Sequence, residues 1–172
     1  MVYNTKTKMK KIAFLLIVLL SIQTILVAET KVLFSPDGGI QSGLVQLISQ
    51  SKNTIDIMIY SFTSREIASS LVYAHDRGVK IRVIADKLQT RGKSSLIGYL
   101  SSKGIKVKVI TGIGRGIMHN KVGIFDGTEL VTGSYNWTNN AEYYSYENAI
   151  FTDEKDIIGK YVKEFEKMWK EH

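Results

Sequence analysis

The sequence predicts an α/β domain of stacked layers whose first half is largely parallel. Two observations carry this. Short β-branched runs alternate with amphipathic helical stretches from residue 31 to residue 110, which is the rhythm of strand–helix–strand units. After residue 110 the rhythm changes to strand, tight turn, strand, a hairpin rather than a crossover. A third observation makes the domain feasible: 44% hydrophobic residues with 23% charge, in a chain of 172 residues, is enough for one buried core.

The elements follow in order. KVLFSP (31–36) is a short strand stopped by Pro36 and the Asp-Gly-Gly behind it. IQSGLVQLISQSK (40–52) has apolar residues at 40, 44, 45, 47 and 48, a helical pattern. NTIDIMIYSFT (53–63) is β-branched and aromatic, hence a strand. SREIASSLVYAHDRG (64–78) is a helix with Ser64 as its N-cap and Gly78 as its stop. VKIRVIAD (79–86) is a strand, GKSSLIGYLSSKG (92–104) a helix ending at Gly104, and IKVKVI (105–110) a further strand. YSYENAIFT (144–152) is a strand. The last 20 residues form a helix with acids in its first turn and apolar spacing at 157, 158, 161, 162, 165, 168 and 169. No internal repeat and no low-complexity linker interrupts the series.

Residues 1–28 stand apart. A lysine-rich opening is followed by a short apolar block, IAFLLIVLL, and then by SIQTILVA, 17 residues from Ile12 to Ala28, the plan of a secretory signal or an N-terminal membrane anchor. Leu26 is larger than well-cleaved signals prefer near the cut, and 17 residues is the short limit for a spanning helix. The four lysines Lys6, Lys8, Lys10 and Lys11 predict a cytoplasmic N-terminus and an exported body, in a bacterial periplasm or anchored facing away from the cytoplasm. Subtracting those four charges from the chain's +7 leaves +3 for residues 29–172, so net charge alone is a weak argument for a nucleic-acid partner. With no cysteine, disulfides, thiolate-bound zinc and a thiol nucleophile are excluded.

The stretch from Met118 to Trp137, MHNKVGIFDGTELVTGSYNW, carries the chemistry. Asp-Gly between two strand-like runs is a strong hairpin signal. With Asp126 and Gly127 as a two-residue loop, Phe125 faces Thr128, Lys121 faces Thr132 and His119 faces Ser134. Residues two apart share a sheet face, so His119, Lys121, Thr132 and Ser134 form a polar front, continued by Asn136. Val122, Ile124 and Val131 form an apolar back. Lysine brings an ammonium, serine and asparagine bring neutral donors, and histidine brings a nucleophile or general acid/base near neutral pH. Each residue alone is ordinary; together they suit a phosphodiester.

HNKVGIFD is His-x-Lys-x4-Asp, and GSYN six residues later is Gly-Ser-x-Asn. This pair resembles the catalytic signature of the phospholipase D superfamily. IDIMIYSFTSREIASSLVYAHDRGVKIRVIAD and YENAIFT are similar in order and spacing to small bacterial Nuc-type endonucleases, over about residues 32–170. The resemblance implies a mixed β-sheet flanked by helices on both faces, one motif per chain, and activity as a two-fold dimer. It implies hydrolysis through a phosphohistidine, with His119 as nucleophile and a second histidine protonating the leaving oxygen. His75 and His172, the other two histidines, are not placed to partner His119, so the second histidine must come from another copy. Lys121, Ser134 and Asn136 would bind phosphate. Glu147 would orient a histidine, with the partner's favoured over its own. Asp126 is a catalytic candidate that the turn already explains. No metal and no other cofactor is expected.

Lys87, Arg91, Lys93 and Arg115 fall in loops where they can track a nucleic-acid backbone. Trp137, Tyr143, Tyr144 and Tyr146 can stack on unpaired bases. These features favour nucleic acid, single-stranded DNA above all, over two rivals: a membrane-associated cardiolipin hydrolase and a non-catalytic DNA-binding or uptake protein.

Overall fold

The structure, a computed structural model, describes residues 28–172. The expected signal or anchor lies outside the described residues except for Ala28. Among the described residues no helix is long and apolar enough to cross a membrane.

Among the described residues, seven strands and six helices follow one another as β1 (Thr30–Ser35), α1 (Ile40–Gln50), β2 (Thr54–Ile59), α2 (Arg65–Asp76), β3 (Lys80–Asp86), α3 (Lys87–Thr90), α4 (Ile97–Ser102), β4 (Lys106–Ile110), β5 (Lys121–Phe125), β6 (Glu129–Gly133), α5 (Asn139–Tyr143), β7 (Glu147–Thr152) and α6 (Lys155–Glu171). The strands form one mixed sheet in the order β1-β7-β6-β5-β2-β3-β4. β2, β3 and β4 run parallel, as the alternating first half predicts. β1 does not join them: it is an edge strand antiparallel to β7, Thr30 level with Thr152 and Ser35 level with Glu147. The expected helix over 92–104 is shorter, and α3 and α5 were not foreseen.

Both faces of the sheet are covered. On one, Ile55, Ile57, Ile59, Val83, Phe125, Val131 and Ala149 pack against Ile40, Leu44 and Ile48 of α1 and Ile67, Leu71 and Ala74 of α2. On the other, Met58, Ile84, Val122, Ile124 and Leu130 pack against Ile158 and Phe165 of α6. Period-two alternation sends neighbouring residues to opposite faces, so β5 is buried from end to end. Arg82 of β3 ties α6 to the sheet through Asp56 at 2.7 Å and Glu166 at 2.6 Å.

Candidate active site

The parallel strands all end at one pole, where Tyr60 follows β2, Asp86 ends β3 and Thr111 follows β4. β5 starts there, with Lys121 level with Ile59. β6 ends there, and β7 starts there with Glu147. His119, Lys121, Ser134, Asn136 and Glu147 therefore gather at the carboxyl edge of the parallel strands, the edge at which open α/β sheets take ligands. The cluster is built from strand ends. The faces are closed by helices.

His119 precedes β5 and is exposed. Its ring packs edge-on against Tyr60, with centroids 4.4 Å apart. Among the described residues its imidazole makes no hydrogen bond. Lys121 is 7% exposed. Its Nζ donates to the His119 carbonyl at 2.8 Å and lies 4.8 Å from the centroid of the Tyr60 ring. Burial holds its pKa below the ordinary lysine value, while the Glu147 carboxylate pulls the other way. One of the three ammonium protons is engaged by the carbonyl, leaving donors for an anionic oxygen.

Ser134 and Glu147 form the second half. Ser134 Oγ donates to Glu147 Oε2 at 2.5 Å, and accepts from the Asn148 backbone N–H at 3.1 Å and side-chain Nδ2 at 3.3 Å. The hydroxyl expected to meet phosphate thus uses its proton to fix a carboxylate. Gly133 makes this possible. A Cβ there would lie 2.2 Å from the Asn148 carbonyl oxygen, so no side chain fits where β6 and β7 bring Ser134 against Asn148. Asn136 is half-buried, and its Oδ1 is buried without a hydrogen-bond partner. Such an atom is costly to leave unpaired.

Several expectations change. The turn is an Asp-Gly turn, with both residues in the left-handed region (φ 51° and 69°) and the Thr128 N–H donating to the Phe125 carbonyl at 3.0 Å. Thr128, however, is an extra residue, and strand pairing begins with Phe125 opposite Glu129. Every partner slips by one: Thr132 faces Val122, not Lys121. Thr132 lies on the α6 face near Tyr161, and Val131 belongs to the opposite core with Phe125. The two-faced hairpin with a polar front is therefore corrected to a buried hairpin with a polar end.

Asp126 is not brought to the cluster. It follows the far end of β5, about 17 Å away at strand rise. Its carboxylate accepts the backbone N–H groups of Lys52, Asn53 and Thr54 at 2.8, 2.7 and 2.9 Å. Burial pushes its pKa up, but those three donors outweigh it and hold the carboxyl below its ordinary value. His75 is also at the far pole, lining a cavity of about 400 Å³ with Lys80, Arg82 and Lys106. His172 follows α6 beyond Trp169, whose carbonyl is bonded by Lys108 of β4. Arg115 sits exposed in the loop that leads from β4 to His119.

Three contributors escaped the sequence reading. Tyr60 touches both His119 and Lys121, and its hydroxyl accepts from Gln89 at 3.0 Å. Asp86 is fully buried. Its Oδ1 caps α3 through Leu88 and Gln89, and its Oδ2 accepts the Met118 N–H at 3.0 Å, one residue from His119. Tyr135, between Ser134 and Asn136, is anchored by Glu142 at 2.7 Å. An aspartate at a strand end just before a helical turn was a readable cap signal for Asp86; nothing local marks Tyr60 or Glu142.

Comparison with known proteins gives consistent matches. A family model described as "Cardiolipin synthase, PLD-like domain" matches residues 44–169. A curated relative, the mitochondrial cardiolipin hydrolase of Xenopus tropicalis, is 34% identical over 131 residues, which is 76% of this chain and 61% of that protein. The chain thus spans about three fifths of the length of such relatives. Among solved structures, NucT from Helicobacter pylori is 32% identical with a TM-score of 0.80, covering 84% of this chain and 97% of that one. Nuc from Salmonella typhimurium, described as a phospholipase D family member, is 28% identical with a TM-score of 0.77, covering 84% and 95%.

Proposed function

The chain belongs to the phospholipase D-like family, a family of phosphodiester chemistry, and on that premise we propose that it hydrolyses single-stranded nucleic acid through a phosphohistidine, without a metal ion, in a site completed by a second copy of itself. The observation that carries this is the convergence of His119, Lys121, Glu147 and the unsatisfied Asn136 at one pole, with the other two histidines elsewhere.

In the first step a ring nitrogen of His119 attacks phosphorus and the bond from phosphorus to the leaving oxygen breaks. The leaving oxygen takes a proton from the second copy's imidazolium. In the second step that now neutral imidazole takes a proton from water, the water oxygen bonds to phosphorus, and the phosphorus–nitrogen bond breaks. Phosphate monoester leaves and both histidines return to their starting states. Lys121 meets the charge on the non-bridging oxygens in a dehydrated setting, where such a contact counts most. Ser134 holds Glu147, and Glu147 fixes the tautomer of the partner's imidazole, since among the described residues of its own chain no carboxylate is bonded to His119.

The rim supports a nucleic-acid substrate. Lys87, Arg91, Lys93 and Arg115 are exposed on the β3–β4 side. Tyr143, Tyr144 and Tyr146 are 51, 79 and 94% exposed on the β7 side. The first set can follow phosphates and the second can stack on unpaired bases. A second reading, lipid phosphodiester hydrolysis, has its own support: in the segments that follow β3 and β4, Ile113 is fully exposed, and Leu88 and Ile117 are exposed as well.

The test is the full chain in detergent with labelled single-stranded DNA, duplex DNA, RNA and cardiolipin, all in excess EDTA. Preferred cutting of single-stranded DNA is expected, with His119→Ala lower by at least several orders of magnitude. Cleavage of lipid alone, or activity abolished by EDTA and restored by a divalent cation, rejects the reading.

A further inference from the structure

The chain enters the domain at the pole opposite the catalytic cluster. β1 begins at Thr30, level with Thr152 at the far end of β7. The entry point is fixed: the Glu29 N–H donates to Asp153 Oδ1 at 2.6 Å, the Asp153 N–H donates back to the Glu29 carbonyl at 3.3 Å, and the Thr30 and Thr152 hydroxyls meet at 2.7 Å. β1 then runs the height of the sheet and reaches the catalytic pole only at Ser35, beside Glu147. In the sequence, the leader ends at Ala28. The next residue, Glu29, is already hydrogen-bonded into the domain.

We infer that the uncleaved leader mounts this domain with its catalytic pole pointing away from the anchoring bilayer, so that its substrate arrives from the aqueous side and the lipids of that bilayer lie out of reach. The inference rests on the phosphodiesterase reading for its consequence and on topology for its geometry. Six residues of strand rise about 20 Å, whereas the headgroup layer on one side of a bilayer is about 5–8 Å deep. A domain standing on its Glu29 pole holds His119 well beyond the phosphates beneath it.

Pairing of two copies removes the freedom to lie down. Both tethers must enter the same membrane from the same side, and a two-fold axis allows this only when it stands along the membrane normal. Two copies meeting end to end through their catalytic poles would carry their tethers to opposite ends of the assembly. One shared membrane therefore requires copies standing side by side, strands roughly along the axis, with both catalytic poles facing the solvent. The lipid reading, which the exposed isoleucines could otherwise favour, then requires lipid presented by another surface.

The chain has no cysteine, so single cysteines can be placed cleanly. The full chain is reconstituted into vesicles of phosphatidylcholine and cardiolipin containing headgroup-nitroxide lipid. A fluorophore is attached through Lys80→Cys at the entry pole or Thr111→Cys at the catalytic pole; both positions are exposed. Strong quenching at position 80 and little at 111 is expected, with external single-stranded DNA cut and the vesicles' own cardiolipin untouched. Equal or stronger quenching at 111, cleavage of the vesicles' own cardiolipin, or failure of the full chain to float with the vesicles overturns the inference. Expected quenching with no DNA cut leaves the mounting standing and sinks the nuclease reading, so the two failures are told apart.

Discussion

Replacing Asp126 by alanine asks whether the last residue of His-x-Lys-x4-Asp is chemical or structural. Its carboxylate accepts three backbone N–H groups from Lys52, Asn53 and Thr54, and hydrogen bonds to a charged acceptor contribute about 1.5–3 kcal/mol each when dehydrated. Lys52 and Asn53 are exposed, so water replaces the acceptor there, and only the half-buried Thr54 N–H stays poorly served. Alanine also tolerates φ 51° less well than aspartate, at a cost of about 1 kcal/mol. The sum is about 2–4 kcal/mol, below the total stability of about 5–15 kcal/mol of an ordinary domain, so the variant folds. Asp126→Asn keeps one acceptor and the turn preference and should lose about half as much. Urea unfolding followed by fluorescence of the buried Trp137 reads the stability, and kcat/KM on single-stranded DNA, taken well below the midpoint, reads the chemistry. Activity should stay within about threefold, since the changed group stands about 17 Å from Lys121 at strand rise, and His119 lies beyond Lys121 at the start of β5. Because the folded carboxyl titrates below its ordinary value, its contribution is complete above about pH 4 and is lost as pH falls through the lower folded value. The stability gap between the parent chain and the Asp126→Ala variant should therefore close in acid. A hundredfold loss of kcat/KM with an unmoved urea midpoint would refute this reasoning.

Lys121→Met should lower kcat by about a hundredfold or more while leaving stability equal or higher, because burial disfavours the ammonium. The unfolded chain binds that proton more tightly, so any gain is largest at neutral pH and disappears above about pH 10.4; a destabilised Lys121→Met variant in urea would count against it. Asp86→Asn loses one of two acceptor oxygens, of which one holds Leu88 and Gln89 and the other Met118, and should cost about 1–3 kcal/mol and lower kcat about tenfold with KM held, because it moves the segment that carries His119. A KM effect with unchanged kcat in steady-state assays would argue otherwise. Gly133→Ala must push β6 from β7 at Asn148, costing about 1–3 kcal/mol and uncoupling Ser134 from Glu147; unaltered melting would contradict the clash. Tyr144→Ala with Tyr146→Ala should weaken single-stranded DNA binding by about 1–3 kcal/mol per stacked base and leave a small phosphodiester substrate unaffected, as fluorescence titration and a chromogenic assay would report.

Much of the fold was legible because it is local. Ser64 does cap α2 by accepting from Ile67, the strand runs lie where the β-branched residues are, and Asp-Gly does form the hairpin turn. The histidine and lysine are two apart on one segment, so their proximity required no tertiary information. The register was not legible. A single extra residue, Thr128, is settled by which side chains both covering layers bury, and a sequence pattern that expects one wet face cannot see a strand dry on two.

What the sequence alone determined was the set of reactive groups, their order and the scarcity of histidine on which the proposed second copy rests. What only the tertiary structure decided was who holds whom. Ser134 gives its proton to Glu147 thirteen residues on, Tyr60 packs His119 from the end of β2, Asp86 pins Met118 from the end of β3, and β1 closes the far edge against β7. Those contacts join residues from 13 to more than 100 positions apart. Periodicity and turn chemistry act over a few residues, whereas such pairings are chosen by burying both faces of one sheet together.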